Sequence, residues 1–156
     1  MTIELLEHER DLARKAGNSE RLLLLNDVIA KARAKETAGK KKVELTEQLV
    51  NDTLVEYRKM LIDGIRQIPD THPTSAMYKT QMAILGEFCP PILEDEAQIR
   101  NLITQELYSQ NILIGKKNKG RIMKSLMPVL RAQYVDMDIA MPIINSMIEE
   151  AEEANV

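Results

Sequence analysis

The sequence predicts an all-α protein, and three observations support that prediction. Apolar residues recur at spacings of three and four along most of the 156-residue chain, which is the period of a helix with one buried face. No segment alternates polar and apolar residues for long, and no Asn-Gly or Asp-Gly turn joins two strand-like runs. Glycine and proline divide the chain into seven pieces of helical length.

Four helices are expected in the first ninety residues. They run from about Thr2 to Ala16, from Asn18 or Ser19 to about Ala38, from Thr46 to Ile68, and from Pro73 to near Cys89. Gly17 is expected to take a positive φ after the first helix, because glycine is favoured at that position. The third helix has the clearest apolar stripe: Val50, Leu54, Tyr57, Leu61, Ile65 and Ile68. In the fourth, one face is expected to hold Met77, Gln81, Ile84, Leu85 and Phe88.

Pro90-Pro91 marks the expected domain boundary, since two consecutive prolines cannot continue a helix. Residues 1–90 are thus expected to form a helical N-terminal domain, and residues 91–156 a small three-helix C-terminal domain. In the second domain, acidic residues 94–96 open a fifth helix, a sixth contains Pro128, and Asp136 or Asp138 caps a seventh. Residues 149–156 are expected to be a fraying acidic tail.

Composition argues against several classes of protein. No apolar run approaches the roughly 18–20 residues needed to cross a bilayer, and no signal peptide is recognisable, so we expect no membrane contact and a cytoplasmic location. Cys89 is the single cysteine, which excludes an internal disulfide. His8 and His72 each lack a partner at i+4, so no metal or other cofactor is expected. Because no nucleophile constellation is recognisable either, we expect a protein that is not an enzyme.

Positive charge is concentrated in one segment of the second domain. Residues 91–156 carry 10 acidic and 7 basic side chains, and six of the bases fall between Lys116 and Arg131, where there is no acid. We call the following residues the cationic patch: Lys116, Lys117, Lys119, Gly120, Arg121 and Lys124. The segment lacks the Gly-Lys-Ser/Thr ending of a nucleotide-binding loop, so a nucleoside triphosphate is not expected there.

Two interpretations of the cationic patch remain open. A helix N-terminus surrounded by cations attracts phosphate through its backbone N–H groups and its dipole. Alternatively, the lysines belong to a solvated loop and only aid solubility. The absence of interleaved aromatic residues argues against base stacking. A second basic stretch, residues 31–42, holds six cations and one acid, and for it a solvated surface is the favoured interpretation.

Three segments resemble the YqeY-like (GatB/YqeY) family. Residues 12–22, LARKAGNSERL, look like the opening "alkagdkeRl" of that family. Residues 84–90, ILGEFCP, are similar to its "ileeylP" segment, and residues 119–128, KGRIMKSLMP, to its "Gkvmgalmp" run. Their order and spacing extend the resemblance over nearly the whole chain. The resemblance implies a helical N-terminal domain and a three-helix C-terminal domain similar to the tail of the B subunit of the glutamyl/aspartyl-tRNA amidotransferase.

In that enzyme the tail contacts tRNA, while the chemistry lies in domains that this chain lacks. The resemblance therefore implies a tRNA-facing region at Lys119-Gly120-Arg121 and Lys124. On this basis we expect a non-catalytic accessory protein of tRNA or aminoacyl-tRNA metabolism. Its partner would be tRNA or a tRNA-dependent enzyme, either an amidotransferase or an aminoacyl-tRNA synthetase. The alternative is a protein–protein adaptor without RNA contact, which offers a helical groove to a partner or to its own copy.

Overall fold

The computed structural model describes residues 1–155, and this part of the chain contains seven α-helices and no strand. The all-α prediction is confirmed. The helices are α1 (Ile3–Lys15), α2 (Ser19–Thr37), α3 (Glu47–Gln67), α4 (Pro73–Leu85), α5 (Glu96–Ser109), α6 (Lys119–Ala132) and α7 (Met137–Ala154). A 3₁₀ turn, Lys116–Asn118, directly precedes α6. None of the described helices combines the length and apolar character that a membrane span requires.

The contacts of the chain group its residues into two compact units, which we call unit 1 (Met1–Pro90) and unit 2 (the described residues from Pro91 onward). Each unit has a hydrophobic core of its own. That each unit folds as a separate domain stays a prediction.

The start of unit 1 is defined by consecutive helix caps. Thr2 caps α1 by accepting a hydrogen bond from the backbone N–H of Leu5. Gly17 has a φ of 69°, and the N–H of Asn18 donates to the carbonyl of Ala13 over 3.0 Å, which together form a Schellman-type helix end. The side chain of Asn18 then caps α2. The expected glycine conformation is confirmed, and it lets one helix follow another with a very short link.

The core of unit 1 draws on α1, α2, α3, α4 and the turn after α4, and it includes four residues of the expected α3 stripe, whereas Ile65 and Ile68 are only half-buried. Its buried residues are Ile3, Leu6, Leu24, Leu25, Val28, Ile29, Ala32, Val50, Leu54, Tyr57, Leu61, Leu85 and Phe88. Tyr57 brings a polar group into this core, and its hydroxyl donates to the carboxylate of Asp27 over 2.7 Å. Burial, reinforced by that hydrogen bond, raises the pKa of Tyr57, so the phenol stays protonated.

The prediction for the fourth helix was wrong about where the helix ends. The helix ends at Leu85 rather than near Cys89, because residues 86–89 form tight turns, including one from the Phe88 N–H to the Leu85 carbonyl. Met77, expected on the same face as Leu85 and Phe88, is 48% exposed. The ring of Tyr78 packs instead against Gly64 of α3, where an added Cβ would lie 2.8 Å from the ring. Gly64 therefore serves close packing of α3 and α4.

Unit 2 packs α5, α6 and α7 around a second core. Its buried residues are Ile99, Ile103, Leu107, Ile112, Ile122, Leu126, Leu130, Val135, Ala140, Ile144, Met147 and Ile148. Asp95 and Asp136 cap α5 and α7 as expected, and α6 continues for four residues beyond Pro128. The expectation of a fraying acidic tail was wrong over residues 149–154, which belong to α7. Val156 lies outside the described residues.

Candidate nucleic-acid interface

The loop that carries the cationic patch begins with a well-defined helix end. Asn111 takes a φ of 54° after α5, and the N–H of Ile112 donates to the carbonyl of Leu107 over 2.9 Å. This is again a Schellman-type end, with asparagine in the left-handed position. Ile112 and Leu107 are both buried in the core of unit 2. The chain therefore leaves α5 in a direction set by backbone hydrogen bonds and by burial.

The far side of the loop is fixed by Asn118. Its side-chain nitrogen donates to the carbonyl of Leu113 over 2.8 Å, and its backbone N–H donates to the carbonyl of Gly115 over 3.0 Å. Because the amide is used in this way, Asn118 gives α6 no side-chain cap. The first turn of α6 consequently has no side-chain acceptor from its N-cap residue.

The structure brings all six residues of the cationic patch together on the 3₁₀ turn and the first two turns of α6. All six are exposed, because Ile122 and Leu126 hold the opposite face of α6 in the core. Among the described residues, none of the five basic side chains forms an ion pair with an acidic group. These cations are therefore available to an external anion.

Neither glycine of the segment is required by its backbone conformation. Gly120 lies within α6, and a Cβ built on it would meet nothing within 4 Å. Gly115 has an extended backbone with a φ of 174°, which any residue can adopt. Because Gly120 has no side chain, it leaves the backbone exposed between the basic side chains of Lys119 and Arg121. Backbone strain therefore gives no reason for a glycine at either position, so the segment does not behave like a glycine-rich phosphate-binding loop.

One acidic side chain of the protein itself reaches this loop. Glu152, near the end of α7, accepts a hydrogen bond from the backbone N–H of Lys116 over 2.7 Å. The same carboxylate oxygen lies 3.4 Å from where a Cβ of Gly115 would be. The expectation that the backbone N–H groups of this opening attract phosphate is therefore corrected at Lys116, whose N–H is already bound. This contact was not predictable from the sequence, because 36 residues separate the two partners.

The second basic stretch differs, because the structure gives its helical part internal partners. Arg33 bonds both Glu7 and Glu36, and Lys35 pairs with Glu56 over 2.9 Å. The ammonium of Lys31 lies 6.0 Å from the ring centroid of Tyr57, within range of a cation–π contact. Residues 40–42 beyond this helix are exposed. Three of the six cations of this stretch, Lys31, Arg33 and Lys35, thus have partners within unit 1.

The remaining candidate residues show structural roles. Cys89 is half-buried, and burial raises the pKa of its thiol against a smaller opposing effect of Arg58, which disfavours the nucleophilic thiolate. His72 caps α4 by accepting a hydrogen bond from the N–H of Thr74 through Nδ1. His8 is exposed on α1. Across residues 1–155, no group of three or more His, Cys, Asp or Glu side chains is placed to hold a metal ion.

An open groove between α3 and α4 was not anticipated from the sequence. Its volume is about 530 Å³, and it is lined by Glu56, Lys59, Met60, Asp63, Gly64, Gln67 and Tyr78. Helix periodicity places some of these residues on one face of α3, and Tyr78, whose ring packs against Gly64, lies at the border of the groove. None of the residues of the cationic patch lines this groove.

No protein-family model matches this chain. No curated protein matches it either. The resemblance to the YqeY-like family consequently rests on the three segments quoted above.

Proposed function

We propose that this protein is a non-catalytic, cytoplasmic accessory protein of tRNA or aminoacyl-tRNA metabolism, and that its cationic patch binds tRNA phosphates. Units 1 and 2 would correspond to the helical N-terminal domain and the three-helix C-terminal domain of the YqeY-like family. In this proposal unit 2 carries the RNA contact. Unit 1 serves as a strut or as the surface that docks on a tRNA-dependent enzyme, an amidotransferase or an aminoacyl-tRNA synthetase.

The observation that carries the proposal is the lack of internal partners at the cationic patch. Five exposed basic side chains stand within nine residues, and none forms an ion pair in the part of the chain that the structure describes. Like charges gathered in this way repel one another, and that repulsion is relieved when a polyanion binds and releases its own counterions. A tRNA backbone offers phosphates at the spacing of a few ångströms that such a cluster needs.

The test is a gel shift with bulk tRNA over a salt series, comparing the wild type with a Lys117→Glu/Arg121→Glu variant. Wild-type affinity should fall steeply with salt, because phosphate contacts dominate such binding. In the variant, the slope of log affinity against log salt should flatten by about one for each lost contact. Both side chains are exposed, so the fold should persist, which circular dichroism can verify.

A matched control is the Lys40→Glu/Lys41→Glu variant of unit 1. It makes the same change in net charge on exposed residues outside any helix. Its salt slope should stay close to that of the wild type. If both variants lose affinity equally, attraction is a property of the net charge and the cationic patch has no special role. If wild-type protein fails to retard tRNA even at low salt, the proposal is wrong.

The alternative function, a protein–protein adaptor without RNA contact, is favoured by one observation in unit 1. The groove between α3 and α4 combines the 46%-exposed Met60 with charged residues such as Lys59 and Asp63. Methionine adapts its shape to different apolar partners. An adaptor would give no tRNA retardation, and its protein partner, or a second copy of the chain, would be lost on Met60→Asp substitution.

A further inference from the structure

The side chain of Tyr108 is exposed to solvent, although an aromatic ring gains free energy from burial. Its exposed fraction is 85%, whereas Tyr57 and Phe88 are buried and the two other tyrosines are half-buried. Its hydroxyl has no hydrogen-bond partner within residues 1–155. An aromatic ring loses favourable burial when it stands in water. Tyr108 is thus the one described aromatic side chain free to meet a ligand face to face.

The backbone places Tyr108 at the start of the loop that carries the cationic patch. It lies in the last turn of α5, where its carbonyl accepts a hydrogen bond from the Asn111 N–H over 3.1 Å. The next fixed point is the buried Ile112, held to the carbonyl of Leu107. From Ile112 to Lys116 there are four residues of chain, which span at most about 14 Å. A short stretch of extended nucleic acid is long enough to reach from the ring to the cations.

Leu113 is a second exposed apolar residue in the loop that leads to the cations. It is 79% exposed, although leucine gains from burial, and its carbonyl is held by the side chain of Asn118. Two exposed apolar side chains therefore flank a fixed turn, and the five cations follow immediately. This order matches single-stranded recognition, in which bases stack on aromatic rings while a basic groove binds the backbone.

We propose that Tyr108 is a stacking platform for an unpaired base, and that the cationic patch binds the neighbouring phosphates of the same strand. This inference rests on the proposed function and deepens it, because it names the ligand class as single-stranded RNA, such as a loop or a 3′ end. A duplex keeps its internal base faces stacked on one another and can offer an exposed ring only the terminal base pair at each end. The platform is indifferent to base identity, since every base has a π-face.

The absence of tryptophan from the chain allows a direct test. A Tyr108→Trp variant carries a single tryptophan at the platform, and stacking of a base on it should quench its fluorescence. The titrants are a single-stranded ribo-oligonucleotide of about ten residues, a blunt RNA duplex of the same sequence, and inorganic phosphate. We expect strong quenching by the single strand and little by the other two. The control is Leu23→Trp, at a 62%-exposed position of α2, where no titrant should quench.

Affinity measurements on two further variants separate stacking from other roles. Tyr108→Ala should weaken single-strand binding by roughly five- to a hundredfold, whereas Tyr108→Phe keeps the ring and should bind like the wild type. Equal binding by Tyr108→Ala and the wild type, or equal quenching by single strand and duplex, overturns the inference. A change of oligomeric state in Tyr108→Ala overturns it too, because the ring would then belong to a protein interface.

The two proposals fail in distinguishable ways. If the Lys117→Glu/Arg121→Glu variant loses tRNA while Tyr108→Ala retains it, phosphate binding stands and the stacking platform does not exist. If the wild type binds neither tRNA nor the single strand, both proposals fall together.

Discussion

The two units use their basic side chains in opposite ways. In unit 1, Arg21 bonds Glu9 and Glu87, and Arg33 bonds Glu7 and Glu36. These partners lie on α1, on α2 and in the turn after α4, so each arginine joins separate parts of the unit. In the described part of unit 2, Arg100 pairs with Glu150, whereas the cations of the patch have no such partner.

This difference shows that a high density of positive charge in the sequence does not by itself identify a binding site. Basic side chains that form ion pairs within the protein stabilise the fold, and those without such pairs are free to bind an external anion. In the sequence, residues 31–42 and residues 116–124 look alike as basic runs. The helical part of the first run differs from the second, because acids of neighbouring helices pair with Arg33 and Lys35, whereas no acid among the described residues pairs with the side chains of the second run. Available cations in a folded protein carry an electrostatic cost that an external anion can remove.

The largest expected effect tests whether the two units are separate at all. Leu126 is fully buried in unit 2 and Leu54 in unit 1. Replacing either with alanine should cost about 2–5 kcal/mol, because a cavity is left in a packed core. If the units fold independently, hydrogen exchange of Leu126→Ala should accelerate only in unit 2, and that of Leu54→Ala only in unit 1. Acceleration across both units in either variant would show a single cooperative fold.

A smaller effect sharpens the contrast between paired and unpaired cations. The side chain of Arg21 is 23% exposed and its guanidinium lies 4.9 Å from the ring centroid of Phe88. Hydrogen bonding to Glu87 helps raise its pKa above the usual arginine value. Arg21→Ala should therefore cost about 1–2 kcal/mol in urea unfolding, and Arg121→Ala should stay within about 0.5 kcal/mol of the wild type. Equal losses in the two variants would contradict the distinction drawn here.

The smallest expected effect concerns Glu152, whose carboxylate accepts a hydrogen bond from the backbone of the cationic patch. Glu152→Gln keeps an acceptor for the Lys116 N–H and removes one negative charge. Affinity for tRNA at low salt should rise about fivefold, the equivalent of about 1 kcal/mol for a surface charge at close range. Glu153→Gln makes the same charge change on the next, exposed residue of α7 and should have less effect. An unchanged or lower affinity in Glu152→Gln would place the phosphates away from this loop.

Sequence reasoning predicted the helices well because their signals are local. Capping by Thr2, Thr46 and Asp95 follows from side-chain chemistry within three residues of each helix start. The apolar period of α3 likewise predicted four of the five buried positions of that helix, missing Thr53, while the expected Ile65 and Ile68 are only half-buried. The end of α4 was missed because the tight turns of residues 86–89 compete with helix over only a few residues.

The sequence predicted which residues make up the candidate site, but not the contacts that these residues form in the fold. The sequence placed the cations on a loop and at a helix start, and the structure has them there. The contact of Glu152 with this loop and the pairing of Arg33 with Glu7 both depend on tertiary packing of distant segments. The exposure of Tyr108 agrees with helix periodicity, since the residue after the buried Leu107 points away from the core face, but sequence reasoning did not single it out as a ligand contact.

The side-chain amide of Asn118 has a consequence for binding thermodynamics. Because it holds the Leu113 carbonyl, the backbone of the turn is ordered before any ligand arrives. An anion captured there would restrict only lysine and arginine rotamers, and would not have to freeze a mobile loop. Such preorganisation lowers the entropic penalty of association, so a short turn with few contacts can hold its ligand as firmly as a longer, flexible one.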